Sequence, residues 1–436
     1  MIKPITFCIP TANNEKDYTI LLLESLKNNT QIENHEILIF VDSDNQNTYD
    51  TLIEKKQTFP NMKIYRNETG YPFGSQRNVS VMFDAAKNDI VCYLQSDMVV
   101  GKDLDVHIGN DLSDVNTVLS FTRIEPPLHP PSPEKIVENI GITPEEFNFD
   151  KFNRIVKDIQ NEDRTIMNDV YFAPFALFKK TWFDVVSGFD TQFRCSREDS
   201  DFVVRCKLND IKLIQSWKTI VYHFTCVSSR GKDWYKNDDD SKYKNELQKN
   251  ADIQEVFRFI RKWGRFGHKI DFVYEIGCFI EMDSFVDLNF VLSIEPYVSR
   301  LYFNDKSVVD YLIHTLEFNS NYYSNLRWNY SKDYWDSVSH KFNPTDFKNK
   351  ILFSDGTDIK DDIMIYCKHS NLVKSFDSYS KVFFNIQEMI HDASIGLYEY
   401  EGIRFQINEK NNRINNLKHM NPNWNYLIKD PICIFK

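Results

Sequence analysis

"IVCYLQSDMVV", Ile90 to Val100, is an apolar run broken by one acid, Asp97, with apolar residues resuming directly after it. A short apolar run of this kind reads as a buried strand. A carboxylate where such a strand ends is either a turn or helix cap or a ligand-facing group. The preceding sequence bears on that choice. "ITFCIP" (5–10) reads as a buried strand, "EILIFVD" (36–42) as a second and "MKIYRN" (62–67) as a short third, with "IVCYLQSD" the fourth. Between them Ile20, Leu22, Leu23 and Leu26 have helical spacing, and "SQRNVSVMFDAA" reads as a helix that Ser75 can cap. Short apolar runs alternating with helical patterns predict a parallel sheet with crossover helices. The longer strands all finish in polar residues: Thr11 and Asn13, Asp42 and Asp44, then Asp97. In an open α/β sheet, ligands bind in the crevice beyond the carboxyl ends of the strands, which favours the ligand-facing reading. No GxGxxG follows the first strand, so a dinucleotide-binding domain loses its main support.

At 436 residues the chain is long enough for two domains. Lys and Arg number 52 against 63 Asp and Glu, a net charge of −11, which disfavours nucleic acid and anionic membrane surfaces as partners. A bound divalent cation can still reverse the sign of a small acidic site. The eight cysteines form no CxxC pair, and several sit in apolar runs, as in "ITFCIP" and "IVCYL". A reducing, cytoplasmic setting is expected. No stretch approaches ~18 uninterrupted apolar residues, so no transmembrane segment is expected.

From Arg123 the texture changes. "EPPLHPPSPEK" is Pro-rich and extended, and 133–165 is polar with helical stretches, so 123–165 reads as an insertion. "VYFAPFALFKKTWFDVVSGFD" restores apolar sequence. The acidic "SREDSDFVVRCKL" then runs into a helix with Phe202, Val203 and Cys206 on one face, and "IVYHFT" is a strand carrying His223. Gly264 and Gly267 in "RKWGRFGHK" mark the end of a first domain, 1–267.

These stretches together resemble the family 2 glycosyltransferases of the GT-A fold. "CIPTANNE" is similar to the first strand and its nucleotide-side loop, "IFVDSDNQNT" to the second strand with its base-contacting Asp, and "GSQRNVSVMFDAAKNDIVCYLQSDM" to the approach to the DxD motif. "SGFDTQFRCSREDSDFVVR" resembles the "GGFDE…EDxDL.R" segment, "YHF" the late metal-binding histidine and "RKWG" a terminal element. The resemblance implies a Rossmann-like mixed sheet with flanking helices. It also implies metal-dependent, inverting transfer of a sugar from a nucleotide diphosphate, with uracil the first choice of base and guanine or thymine left open, to a hydroxyl of a glycan or related acceptor.

That chemistry needs positive charge at the leaving diphosphate and a base at the acceptor hydroxyl. By the resemblance Asp97 and His223 ligate Mn²⁺ or Mg²⁺. Asp199 is the base with Glu198 the fallback, and Asp201 orients the loop or caps its helix. Thr11, Asn13, Glu15, Asp42, Arg77, Gln95 and Ser96 face the nucleotide, and Asp169 and Asp201 are candidates at the donor sugar and acceptor. The sequence departs from DxD in having Gln95, followed by Ser96, where the first acid would stand. Glutamine accepts hydrogen bonds from hydroxyls but brings no charge to a cation. A non-catalytic sugar-nucleotide or glycan-binding module is therefore the alternative.

The remainder, 268–436, resembles no known family and reads as a smaller mixed α/β domain. "KIDFVYEI", "DIMIYC" and "KVFFNI" are expected as strands, "SVVDYLIHTLEF" as a helix, and "GLYEYEGIRFQI" as a hairpin turning near Glu401 and Gly402. Aromatic residues are dense over 322–335.

Overall fold

The computed structural model describes residues 3–12, 15–42, 47–67, 75–164, 166–168, 173–186, 188–190, 193, 197–225, 227, 256, 259–260, 262–265, 270–283, 294–314, 351–357, 359, 361–372, 376–414 and 433–435. Asn13, Asp44, Asp169, Gly267 and the aromatic stretch 322–335 lie outside them, as does the side chain of Arg77. The chain divides into two compact units, residues 1–246 with 421–436, and residues 247–420. Both are mixed α/β.

In the first unit β1 (Ile5–Thr11), β2 (Glu36–Val41), β3 (Met62–Asn67) and β4 (Ile90–Tyr93) follow the apolar runs of the sequence. Helices α1 (Lys16–Asn29), α2 (Thr48–Lys55) and α3 (Ser75–Ala85) connect them. The four strands are parallel in the order β3-β2-β1-β4. Their carboxyl ends, and the residues after them, therefore share one edge. β1, β2 and β4 are buried along their whole length, as strands covered on both faces must be.

The sheet then turns mixed. β5 (Met98–Val100), α4 (Leu104–Asp111), β6 (Thr117–Glu125), β7 (Lys135–Val137), α5 (Phe149–Gln160), β8 (Ile166–Asn168), β9 (Phe175–Phe178), α6 (Glu198–Leu208) and β10 (Lys212–His223) complete the unit up to His223. β9 runs antiparallel between β4 and β6, and β10 lies parallel to β6 and antiparallel to β5. On β10 the register against β6 jumps from Ser216↔Phe121 to Ile220↔Thr122, leaving Trp217, Lys218 and Thr219 unopposed. That is a bulge of the kind that re-aims the strand beyond it. The hydroxyl of Ser216 holds it, donating to Asp111 Oδ2 at 2.5 Å and accepting from the Thr219 amide at 2.9 Å.

Two apolar clusters fix this arrangement. One joins Ile5, Phe7 and Ile9 of β1 to Leu22, Leu23 and Leu26 of α1 and to Val100, Leu104 and Ile108. The second packs Phe152, Val156 and Ile159 of α5 against Trp217, Tyr222 and Phe224. The helical part of 123–165 is thus built into a core: α5 presents one apolar stripe inward and carries an Asn148 side-chain cap on the Lys151 amide at 2.9 Å.

The second unit has β11 (Ile276–Glu281), β12 (Arg300–Phe303), a helix α7 over 306–314, β13 (Ile351–Phe353), β14 (Ile363–Lys368), α8 (Phe376–Asp392), β15 (Gly396–Tyr400) and β16 (Ile403–Ile407). Its order is β13-β12-β11-β14-β16-β15, the first four parallel and the last two antiparallel. The hairpin turns at Glu401 and Gly402 with φ of 49° and 78°, a left-handed pair suited to a two-residue turn. Two expectations are corrected. "KVFFNI" lies inside α8, because Val382, Phe383, Ile386 and Ile390 recur at helical spacing and pack into the core. In "KIDFVYEI" the strand starts only at Ile276; before it, over 270–275, Val273 bonds instead to the Arg413 amide and the Asn412 side chain. Residues 259–260 and 262–265 join this unit: Ile260 enters its core and Arg265 pairs with Glu388. The strand β17 (Cys433–Phe435) pairs antiparallel with β3, at the edge of the first sheet. No helix among the described residues is long and apolar enough to cross a membrane.

Candidate functional site

The shared carboxyl edge of β1, β2 and β4 collects several of the expected residues. Asp42, just past β2, donates its amide to Thr11 O at 2.8 Å. Its buried carboxylate accepts from Asn67 Nδ2 at 2.7 Å and Asn78 Nδ2 at 3.2 Å. Thr11 and Thr19 hydroxyls meet at 2.8 Å. Glu15, at the start of α1, accepts from the Ala12 amide at 2.9 Å and from the Ser96 hydroxyl at 2.5 Å, tying the loop after β1 to the turn after β4. Thr11, Glu15, Asp42 and Ser96 therefore form one bonded edge, and all are buried.

Gln95 follows β4, two residues after Tyr93. Burial, reinforced by the carboxylates of Glu198, Asp97 and Glu15, pushes the Tyr93 hydroxyl far above the usual range. Three acids from separate stretches thus bear on one phenol at the end of β4.

Asp97 occupies the turn between β4 and β5, and His223 is the last residue of β10, opposite Met98. The amide of Phe224 donates to Asp97 O at 3.0 Å. His223 Nε2 lies 3.5 Å from Asp97 Oδ1, and His223 Nδ1 lies 3.1 Å from Glu125 Oε1. Burial works against a charged imidazole, but Asp97 and Glu125 outweigh it and raise the His223 pKa to about 9. Burial also opposes ionisation of Glu125, yet His223, Arg123 and Lys135 lower its pKa to about 2. Two residues on, Thr225 has φ of 62°, a left-handed conformation for a β-branched residue. Strain of this order, about 1–3 kcal/mol, persists where the surroundings over-determine the backbone.

The acids of "REDSD" separate in role. α6 opens at Arg197 with φ of 69°, and the first turn carries Glu198, Asp199 and Asp201. Asp201 is fully buried and accepts from Arg205 Nε at 2.8 Å, so it is bound into its own helix. Asp199 is exposed, its Oδ1 accepting from the amide and hydroxyl of Ser200 at 2.6 and 3.2 Å. Glu198 is the member of the cluster that bears on Tyr93. Phe202 anchors the helix by packing on Phe175, Phe189 and Trp182 with ring centroids 5.4–5.6 Å apart.

Residues 6–110 match the family model described as Glycosyl transferase family 2. That stretch runs from the second residue of β1 through β5 and contains Asp42 and Asp97. No curated protein matches the chain. Among solved structures, TarS 1-349 of S. aureus in complex with UDP is 17% identical over 60% of this chain and 74% of that one, with a TM-score of 0.37. The same TarS fragment with UDP-GlcNAc gives 18%, 60%, 75% and 0.37. GalNAc-T7 with UDP, GalNAc and Mn²⁺ gives 15%, 51%, 44% and 0.37.

The donors present fit a divalent ion in one respect. Octahedral neighbours bonded at about 2.1 Å and about 90° apart stand about 3.0 Å from each other, and Asp97 and His223, at 3.5 Å, come within about half an ångström of that. No group of three or more His, Cys, Asp or Glu among the described residues is arranged to enclose an ion. A set of one carboxylate and one imidazole suits an ion whose other ligands come from substrate phosphates and water.

Glu125, Arg123, Lys135, Asn67 and Asn78 escape the sequence reading. Glu125 carries the same signal as Asp97, an acid ending an apolar run, but the prolines after it make it look like the start of an insertion.

Proposed function

We propose that the protein transfers a sugar from a nucleotide diphosphate, with uracil as the base, to a hydroxyl of a glycan or related acceptor, with inversion at the anomeric carbon. The observation that carries this reading is the meeting of Asp97 with His223 at the carboxyl edge of a sheet whose first strands match glycosyl transferase family 2. Asp97 and His223 would hold a Mn²⁺ or Mg²⁺ ion, whose chemistry is to offset negative charge on a leaving diphosphate. Asp42 accepts the imide N–H of the base while Asn67 and Asn78 fix its carboxylate. Thr11, Asn13, Glu15, Arg77, Gln95 and Ser96 line the nucleotide side. Asp199, exposed at the start of α6, removes the acceptor proton, with Glu198 the fallback. Asp169 lines the donor sugar, and Asp201, locked to Arg205, holds the helix that presents the base.

The test is turnover of a panel of nucleotide sugars with Mn²⁺, Mg²⁺ or chelator, following both transfer and donor hydrolysis. Metal-stimulated turnover of a UDP-sugar supports the reading, and its absence for every donor rejects it. Gln95 favours a second reading, a non-catalytic nucleotide-sugar or glycan-binding module on the same scaffold. Such a module would bind donor in a thermal-shift assay yet hydrolyse none.

A further inference from the structure

Glu125 is the last residue of β6 and lies beside His223 of β10, one step beyond the register pair Tyr222↔Ile124. Its carboxylate is 3% exposed and fully engaged. Oε1 meets Arg123 Nη1 at 2.9 Å and His223 Nδ1 at 3.1 Å, and Oε2 meets Lys135 Nζ at 2.9 Å. Two cations from β6 and β7 thus keep Glu125 an anion and hold it still. An anion has only acceptor capacity, so the imidazole nitrogen facing it must carry a proton. The other nitrogen, Nε2, faces Asp97. With a carboxylate at each nitrogen the ring is held in one orientation; a divalent cation between Asp97 and Nε2 would displace the Nε2 proton, while the Nδ1 proton stays on the Glu125 side.

We propose that Glu125 is a positioning residue, which commits His223 to the Nδ1–H form and holds Nε2 toward Asp97 as a divalent-cation donor. Arg123 and Lys135 in turn position Glu125. This rests on the reading that Asp97 and His223 share a metal ion, and it adds a residue from a segment that the sequence marks as an insertion. The network differs from the ion pair of Asp201 with Arg205 in joining three strands, where that pair joins two residues of one helix.

The probe is Mn²⁺ with UDP, titrated into the full chain against a protein-free Mn²⁺–UDP control and followed by electron paramagnetic resonance of the ion outside the protein, with unfolding midpoints measured in parallel. Glu125→Ala is expected to weaken Mn²⁺ binding by about 10–100-fold. Glu125→Gln keeps an acceptor for the Nδ1 proton and is expected to retain most of the affinity. A purely structural Glu125 would give losses that follow the unfolding midpoints, with no rescue by Gln, and would overturn the proposal. If Glu125→Ala does not fold, Glu125→Asp, whose carboxylate falls short of the ring, replaces it; wild-type Mn²⁺ affinity there also overturns the proposal. His223→Ala separates the two levels. Loss in His223→Ala without loss in the Glu125 variants rejects the positioning role alone, whereas wild-type binding in His223→Ala rejects the metal reading beneath it.

Discussion

His223 Nε2 stands 3.5 Å from Asp97 Oδ1, although the two residues come from strands far apart in the chain. The contact exists because β10 closes antiparallel on β5, putting His223 opposite Met98 and next to the turn that holds Asp97.

Substitution at either member should therefore be felt in nucleotide binding. Asp97→Asn and His223→Ala are each expected to abolish the enhancement of UDP binding by Mn²⁺ and to lower transfer by about 10²–10³-fold. Calorimetry with and without metal, alongside turnover, measures both. Wild-type behaviour in the two variants would remove this edge from the mechanism.

The acids of α6 should divide by kind of defect. Asp199→Ala is expected to lower kcat by about 10²–10⁴-fold while leaving UDP affinity intact. Asp201→Ala leaves the buried Arg205 without its carboxylate and should cost about 3–5 kcal/mol of stability instead. Steady-state kinetics and urea unfolding distinguish them, and reversed results would exchange the two roles.

Acid sensitivity follows from two carboxylates remote from that edge. Burial opposes ionisation of Glu36, but the Lys87 amide, Lys63 and the Thr6 hydroxyl outweigh it, and its pKa falls below the usual 4.5. Asp105 is buried too, and His35, with the Gln31 amide, brings it below 3.8. A group with a depressed folded pKa stabilises the protein above its unfolded value, and that contribution is lost as pH falls through the folded one. Stability should therefore decline below about pH 4.5, and Glu36→Gln should flatten the decline in thermal unfolding followed from pH 6 to 3. An unaltered acid limb would count against the assignment.

Packing behind α6 gives a fourth expectation. Phe202 stacks on Phe175 at 5.6 Å and adjoins Trp182 and Phe189 in a buried aromatic group. Phe202→Ala should cost about 3–5 kcal/mol and, by loosening the helix that bears Glu198 and Asp199, reduce kcat more than UDP affinity.

Much of this was legible before any coordinates. Strands β1, β2 and β4 are apolar runs because they are covered on both faces, and the polar residues after them show as interruptions. Glu125 was harder to see, since its partners His223, Arg123 and Lys135 gather only when β6, β7 and β10 pair. "KVFFNI" misleads for a different reason. Four β-favouring residues in six satisfy a strand template, while the helical period appears only over the full span Phe376–Asp392. In "KIDFVYEI" the alternation is real, yet Phe272 spends it on stacking against His391 at 4.1 Å. Asp199 and Glu198 are adjacent in sequence and alike in chemistry, so the exposure of one and the burden of the other on Tyr93 come from the way α6 is docked.

The bulge on β10 has a consequence for how this chain tolerates change in length. Trp217, Lys218 and Thr219 have no opposite number on β6, so slack can be taken up there without disturbing the ladder on either side. Between Ile220 and His223 there is no such allowance. One residue added in that short arm would invert the alternation and swing the imidazole to the far side of the sheet, away from Asp97. Insertions only a few positions apart should thus differ from silent to disabling.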